Sequence, residues 1–452
     1  MEHPTLTHVH DTSTIAMCCR LPLCVVILLL VTCNVCYAMS KSDPRVDGLI
    51  RKYWFQYKKI AVILAYLQIV HRVSVGMTWL KKKIHDLGLH RKGVLVQYSP
   101  LSHVQAAIEA ELEGCRNNIG YRQMWVVLKQ RHKLVVKRNT VQMMMSILDP
   151  QGAKRRRKHQ LKRRVYQNKG PDFVWHLDGY DKLKPYGFAI HGCIDGYSRK
   201  VIWLKVMTTN NDPNVILLPY LLSVLENNGC PSIVRSDHGT ENTTLAACHM
   251  ALRHEHDDEF SGERSFRFGP STTNTRIESW WAQLRNSVTD WWINMFKNLI
   301  QEGSFNPQNT IHKHCMGYVY EPLLNEALQD FKERWNSHRI RLNRVAGCPA
   351  GVPSDLYYLP QLNGVMSYKK PLQLIVWSHC YIEHAYLPEP FYPVEFVAAA
   401  DAILAQLNMS RTDITISNSR FIYLHLCNKC HHKCFLIWTE PQLLFTIHIE
   451  LF

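Results

Sequence analysis

The sequence has 452 residues, 46% of them hydrophobic, which is more than one ordinary domain needs and excludes a chain that stays disordered for want of a core. Lys and Arg number 53 against 37 Asp and Glu, a formal net charge of +16 that favours a polyanionic partner such as nucleic acid and leaves membranes and plain solubility open. The 15 cysteines are irregularly spaced and form no disulfide framework, so reduced, mostly buried thiols of an intracellular protein are expected. No phosphate-cradling glycine loop and no Gly-x-Ser-x-Gly elbow occurs, which disfavours nucleotide hydrolases and serine esterases.

Residues 1–45 read as a leader. Within it, residues 21–38 are mostly apolar and close to the shortest run that spans a bilayer. A signal peptide, an anchor and a buried helix all remain open. Glu2, Asp11 and a single Arg20 make a poor secretory start, and Lys41, Arg45, Arg51, Lys52, Lys58 and Lys59 would hold the bulk of the chain in the cytosol if the run spans. Membrane association is expected only through this segment; the protein otherwise belongs in the nucleus or cytoplasm.

Residues 46–152 are helical and basic in pattern. Within them residues 120–129 and 135–145 read as helix, turn, helix, with Asn139 or Thr140 capping the second. A DNA-reading module and an ordinary helical hairpin with a Met143–Met145 core both fit. A basic linker follows at 153–165. Lys154, Arg155, Arg156 and Arg157 begin an eleven-residue stretch holding eight Lys or Arg, which repels itself and suits phosphate tracking, nuclear import or a solvated tether.

From residue 166 to 360 short apolar runs alternate with turns and longer helical patterns, the signature of an α/β unit. Residues 173–178, 187–194 and 200–207 read as three successive antiparallel strands. Residues 214–227 read as a helix, 232–236 as a short strand, 241–253 as a helix, 266–268 as a last strand and 274–299 as a long helix. That order predicts an RNase H-like core, a five-stranded mixed sheet flanked by helices. Residues 361–452 show no clear pattern and stay unassigned.

Three acids fall where this layout gathers strand ends and a helix start: Asp178, Asp237 and Glu278, with 58 and 40 residues between them. Carboxylates are the hard oxygen ligands that Mg²⁺ and Mn²⁺ take, and two such ions suit an in-line phosphoryl displacement. Asp257, Asp258 and Glu259 are rival acids but read as a solvated loop, and Asp195 as a turn residue bonding the amides after it.

The segments Trp175-His-Leu-Asp-Gly-Tyr, Ile194-Asp-Gly-Tyr-Ser-Arg, Arg235-Ser-Asp-His-Gly-Thr-Glu-Asn, Asn274-Thr-Arg-Ile-Glu, Trp335-Asn-Ser-His-Arg-Ile-Arg and Pro353-Ser-Asp-Leu-Tyr together resemble the integrase core domain of retroviral integrases and transposases, nearest to transposon-derived integrase-like proteins. The resemblance implies a DNA strand transferase in which Asp178, Asp237 and Glu278 are catalytic and hold a pair of Mg²⁺ or Mn²⁺ ions, with DNA and a second copy of the chain as partners. It also implies DNA-facing roles for Asn274, Arg276, Arg285 and His238. Thr275 stands where kin more often carry Gln, and the second acid interval is long, with a charged loop at 254–264 to absorb the excess. The alternatives are a DNA-binding scaffold that retains the acids without turnover, and an RNase H-fold nuclease that cuts without joining. Cys427, Cys430, His431, His432 and Cys434 are too crowded for an ordinary zinc site, and His3, His8, His10, Cys18 and Cys19 do not reproduce the retroviral N-terminal zinc spacing.

Overall fold

Apolar residues recurring every three or four positions build helices on both sides of a single sheet in the computed structural model, which describes residues 39–56, 58–90, 98–114, 116–152, 168–270, 274–342, 349–387 and 389–438. The segment 21–38 and the run with Lys154, Arg155, Arg156 and Arg157 lie outside the described residues. Among the described residues no helix is long and apolar enough to cross a membrane. The chain divides into two units, Met1–Leu89 and His90–Phe452, so the division falls inside the stretch 46–152 that reads as one helical region in sequence.

In the first unit, α1 (Pro44–Phe55) starts at Asp43, whose side chain accepts from the Arg45 amide, with proline pre-set at the first helical position. Helix α2 (Ile60–Ala65) runs into a π turn at Tyr66–Val70, and α3 (Met77–Asp86) follows. Val46, Ile50, Ile63, Leu67, Leu80 and Ile84 are buried.

The second unit opens with α4 (Leu101–Glu113), α5 (Tyr121–Gln130) and α6 (Arg138–Leu148). They share a small core of Val104, Ile108, Met124, Leu128, Val141 and Met145. The helix-turn-helix pattern is therefore real at the level of packing, but α6 begins after Lys137, and Asn139 and Thr140 lie inside its first turn instead of capping it. Met145 is buried whereas Met143 is exposed, because only one side of the Met run faces the core.

The sheet holds β1 (Val174–Tyr180), β2 (Ala189–Asp195), β3 (Val201–Met207), β4 (Ile233–Ser236) and β5 (Phe266–Phe268) in the order β3-β2-β1-β4-β5. β1, β2 and β3 form the antiparallel meander, and β4 and β5 add in parallel. This is the five-stranded mixed sheet of an RNase H-like core. Every residue of β2 is buried, so its sequence does not alternate: helices cover both faces. The β2–β3 turn is fixed by Asp195, whose carboxylate accepts from the Ser198 amide at 2.7 Å and the Ser198 hydroxyl at 2.6 Å, as its turn reading anticipated.

Helices α7 (Pro213–Glu226) and α8 (Thr243–Leu252) lie in the crossovers around β4. The long helix expected at 274–299 is two: α9 (Thr275–Leu284), a π turn at Arg285–Thr289, and α10 (Asp290–Gln301). Helix α11 (Thr310–Ser337) packs on β3. It also receives the N-terminal helices of this unit, since Arg131 reaches Asp330 at 2.9 Å and Arg116 pairs with both Glu111 and Asp330.

Past α12 (Pro353–Tyr358) the unassigned region is helical: α13 (Leu374–His384), α14 (Val394–Ala405) and α15 (Ile416–Trp438). Phe396, Leu404, Tyr423 and Leu426 join the same core cluster as Trp280, Trp292, Phe296 and Phe331, which makes α14 and α15 part of the packing around the sheet.

The loop 254–264 corrects one expectation. Asp257 and Glu259 are exposed, but Asp258 meets the fully buried guanidinium of Arg253 at 2.7 Å and Lys370 at 3.0 Å. Burial opposes ionisation there, yet hydrogen bonds from Arg253, Lys370 and the Phe260 amide outweigh it and hold the carboxyl at about 2. Asp258→Ala strands a buried cation and should cost about 3 kcal/mol in urea denaturation; an unchanged midpoint would mean that the acid is merely solvated.

Candidate catalytic site

Parallel pairing of β1 with β4 runs Val174↔Ile233, Trp175↔Val234 and His176↔Arg235. Carried two positions further, the same register sets Asp178 beside Asp237, just past the end of β4. Adjacent strands stand about 4.8 Å apart, and residues at one level point to one face. The two aspartates are thus neighbours by backbone pairing alone, and both are half-buried.

Helix α9 brings the glutamate. Asn274 at its start is buried; its amide donates to the Leu177 carbonyl at 3.0 Å and its Oδ1 accepts from His176 Nδ1 at 2.6 Å. Two turns on, Trp281 Nε1 donates to Asp178 Oδ2 at 2.8 Å. Glu278 lies four residues after Asn274 and three before Trp281, so it shares the helix face that these two press against β1. Gly192, paired with Asp178 across β2, makes the approach possible: a Cβ there would stand 2.9 Å from the Trp281 ring.

The electrostatics agree with this convergence. Burial pushes Asp178 up to about 7; the Trp281 hydrogen bond works against that, while Glu278 and Asp237 add like-charge repulsion. Glu278 is also raised, by burial and then by Asp237. Asp237 accepts from the Gly239 amide at 3.3 Å and from Asn242 at 3.2 Å, contacts that hold its loop. The donor set suits a hard divalent cation, whose charge would relieve the repulsion among the three acids. Among the described residues no three His, Cys, Asp or Glu side chains are already gathered about one point, so chelation requires rotation of side chains, most easily of the exposed Glu278.

The remaining expected residues divide. Asn274 is buried with its amide bonded to β1, so it positions the helix. His238 is exposed beside Asp237 and stacks on Phe268 with ring centroids 6.4 Å apart. Arg276 is half-buried and, with Arg235, its charge bears on the buried His176, which burial above all keeps neutral with a pKa of about 3. Arg285 is half-exposed at the π turn, 3.5 Å from Asp290, so part of its charge is already matched. Sequence reasoning missed His176, Gly192, Arg235, Asn242 and Trp281. The one available signal was the Trp280-Trp281 pair a turn after Glu278, a large aromatic on the acid's own face.

Residues 165–364 match the sequence profile of the family described as integrase core domain. This segment is an integrase core domain. No curated protein matches the chain. The matched stretch contains all five strands and runs through α12.

A carboxyl whose folded pKa is raised keeps a proton that the unfolded chain has lost, so Asp178 withdraws stability as pH rises from about 4 to about 7. In metal-free buffer Asp178→Asn should therefore stabilise the fold by about 1–3 kcal/mol at pH 8, allowing for solvent screening, and by almost nothing at pH 4. Equal effects at the two pH values in urea titrations would show that burial does not hold the Asp178 carboxyl protonated in the fold.

Proposed function

We propose that this integrase core cuts and joins DNA strands, with Asp178, Asp237 and Glu278 as its catalytic and metal-holding residues. What supports the reading is that strand register and the docking of α9 bring the three carboxylates near enough to repel one another, though not yet about one point. Asp178 and Asp237 would hold or flank the ions at the strand ends, and Glu278 would complete the second position. Two Mg²⁺ or Mn²⁺ ions would supply activation of the attacking hydroxyl and stabilisation of the leaving oxygen.

The chain's own residues do the rest. Trp281 and the Gly179 amide each bond one Asp178 oxygen, at 2.8 and 3.0 Å, and so orient that carboxylate while each oxygen keeps a lone pair for a ligand. Arg235, Arg276 and the exposed His238 place cationic and donor groups at the same edge, where phosphates would lie. The net charge of +16 supports DNA as the partner, and joining two ends to a target favours a homo-oligomer as the working form. Work on DNA would be done in the nucleus or the cytoplasm. The internal hydrogen bonds to both Asp178 oxygens also favour a second reading, a DNA-binding scaffold without turnover.

The test uses the full chain with Mn²⁺, end-labelled DNA and a target plasmid. Glu278→Gln should lower the joined product at least about a hundredfold, the loss of a ligand outweighing that of an outer-shell partner, with filter binding of DNA unchanged. Joining that survives the substitution overturns the assignment. Salt-sensitive binding without any nicking would favour the scaffold, and hydrolysis without joined species a nuclease.

A further inference from the structure

The sheet ends on the side of β5, an edge strand that carries Phe266, Arg267 and Phe268 in succession. Side chains alternate along a strand, so Phe266 and Phe268 share one face and Arg267 takes the other. The register Arg235↔Arg267 sets two arginines level on that second face, and His176↔Arg235 makes it the face of His176 and Asp178 as well. On the first face Phe268 is 39% exposed and is backed by the buried Phe266, with ring centroids 4.7 Å apart. Its neighbour on the open side is the exposed imidazole of His238, the residue that directly follows Asp237. The His238 and Phe268 rings lie within 14° of parallel with their centroids 6.4 Å apart.

We propose that His238 and Phe268 form a slot for one unpaired base of the DNA strand whose phosphates lie at the acids. The proposal rests on the DNA reading above and adds to it the form of DNA that is taken: a frayed or single-stranded end. The separation of the two rings is nearly twice the about 3.4 Å spacing of stacked bases, so a base between them lies about one stacking distance from each. Both side chains are exposed, and small rotations suffice to close them on it. Inside a duplex both faces of every base are already covered by its neighbours. A two-sided aromatic slot therefore excludes paired interior bases and admits one that has left the stack.

The opposite face supplies what the rest of the nucleotide needs. Arg235 Nε is buried and has no hydrogen-bond partner among the described residues, while Arg267 stands level with it as a like charge on the neighbouring strand. A phosphate there would satisfy the donor and relieve the repulsion. Aromatic faces for the base and cations for the backbone thus stand on either side of one strand end, next to Asp237. Because every base has a π face, the slot selects for strandedness and not for sequence.

The test is fluorescence anisotropy of the full-length protein in chelating buffer, where no strand is cut. The probes are a duplex with a single-stranded tail and the same duplex with abasic residues throughout the tail. The intact tail should bind at least about fivefold more tightly than the abasic one, the low end of what stacking one base on an aromatic side chain contributes. Phe268→Ala should erase that difference and Phe268→Trp should keep it. The comparison is between two DNAs on one protein, so a general loss of charge or fold cancels. If Phe268→Ala fails to fold, His238→Ala, at an exposed loop residue, should erase the difference as well. Equal binding of the two tails by the unaltered protein overturns the proposal, and so does a difference that persists undiminished in the alanine variants. Base discrimination by a protein that never joins strands would sink the strand-transfer reading alone, whereas joining by a protein blind to the tail's bases would sink only the slot.

Discussion

Helix α9 is tied to strand β1 at both ends of the stretch that carries Glu278. At one end the Asn274 amide bridges His176 and the Leu177 carbonyl; at the other the Trp281 indole bonds Asp178. Between these ties lies Glu278, on the same helix face as Asn274 and Trp281. Asn274 and His176 are both buried, so each would be left with an unsatisfied polar group if the helix slid by a residue. That cost makes the register of helix on strand as definite as the register of strand on strand. The two aspartates need no such device, because the register of β1 on β4, carried two positions beyond His176↔Arg235, sets them side by side.

The acids of this unit differ in the partners that surround them. Asp172 is buried with a left-handed backbone and accepts from Trp175, Tyr357 and Ser367; Asp195 accepts from Ser198 and from the Asp172 amide; Asp258 is held by Arg253 and Lys370. These carboxylates are bonded to donors of the fold, although burial and the neighbouring Asp172 push Asp195 up to about 7 as well. Asp178, Asp237 and Glu278 instead act on one another electrostatically, and burial raises Asp178 and Glu278 further. A fold that keeps such groups together carries a standing cost. It is met by packing around α9, where Ile277, Trp280 and Leu284 are buried in one cluster with Trp292 and Phe296 of α10. The C-terminal helices contribute to the same cluster through Phe396, Leu404 and Tyr423, so the region beyond the integrase core stabilises the platform on which the acids stand.

Much of this was legible in the sequence because it is local. β-branched and aromatic runs bounded by turn residues located all five strands to within about two residues, and Asp195 announced its turn by chemistry that acts within three residues. The three acids could be singled out because strand ends and a helix start are readable positions. What escaped reading depends on partners remote in the chain. Nothing near Asn274 says that its amide will be consumed by residues 176 and 177, and nothing near Asp258 distinguishes it from Asp257 until Arg253 turns inward. Gly192 is silent until Trp281 crosses above it. The π turn at 285–289 leaves the helical period almost intact, which is why α9 and α10 read as one helix. Helices α13, α14 and α15 were unreadable because apolar side chains stand on their outer as well as their inner sides. Ile375, Ile382, Val394 and Phe421 are exposed on the same helices that bury Trp377, Phe396 and Tyr423, and a helix apolar in several directions shows little periodicity.

The central claim is spatial: three carboxylates from β1, the end of β4 and the first turn of α9 face one volume large enough for divalent cations. A crystal structure of the protein grown with Mn²⁺, with anomalous scattering recorded at the manganese edge, tests it most directly. The account predicts anomalous density bounded by Asp178, Asp237 and Glu278, with Asn274 still bonded to the Leu177 carbonyl. Manganese density confined to other sites, or Glu278 turned away from the two aspartates across the sheet, would contradict it.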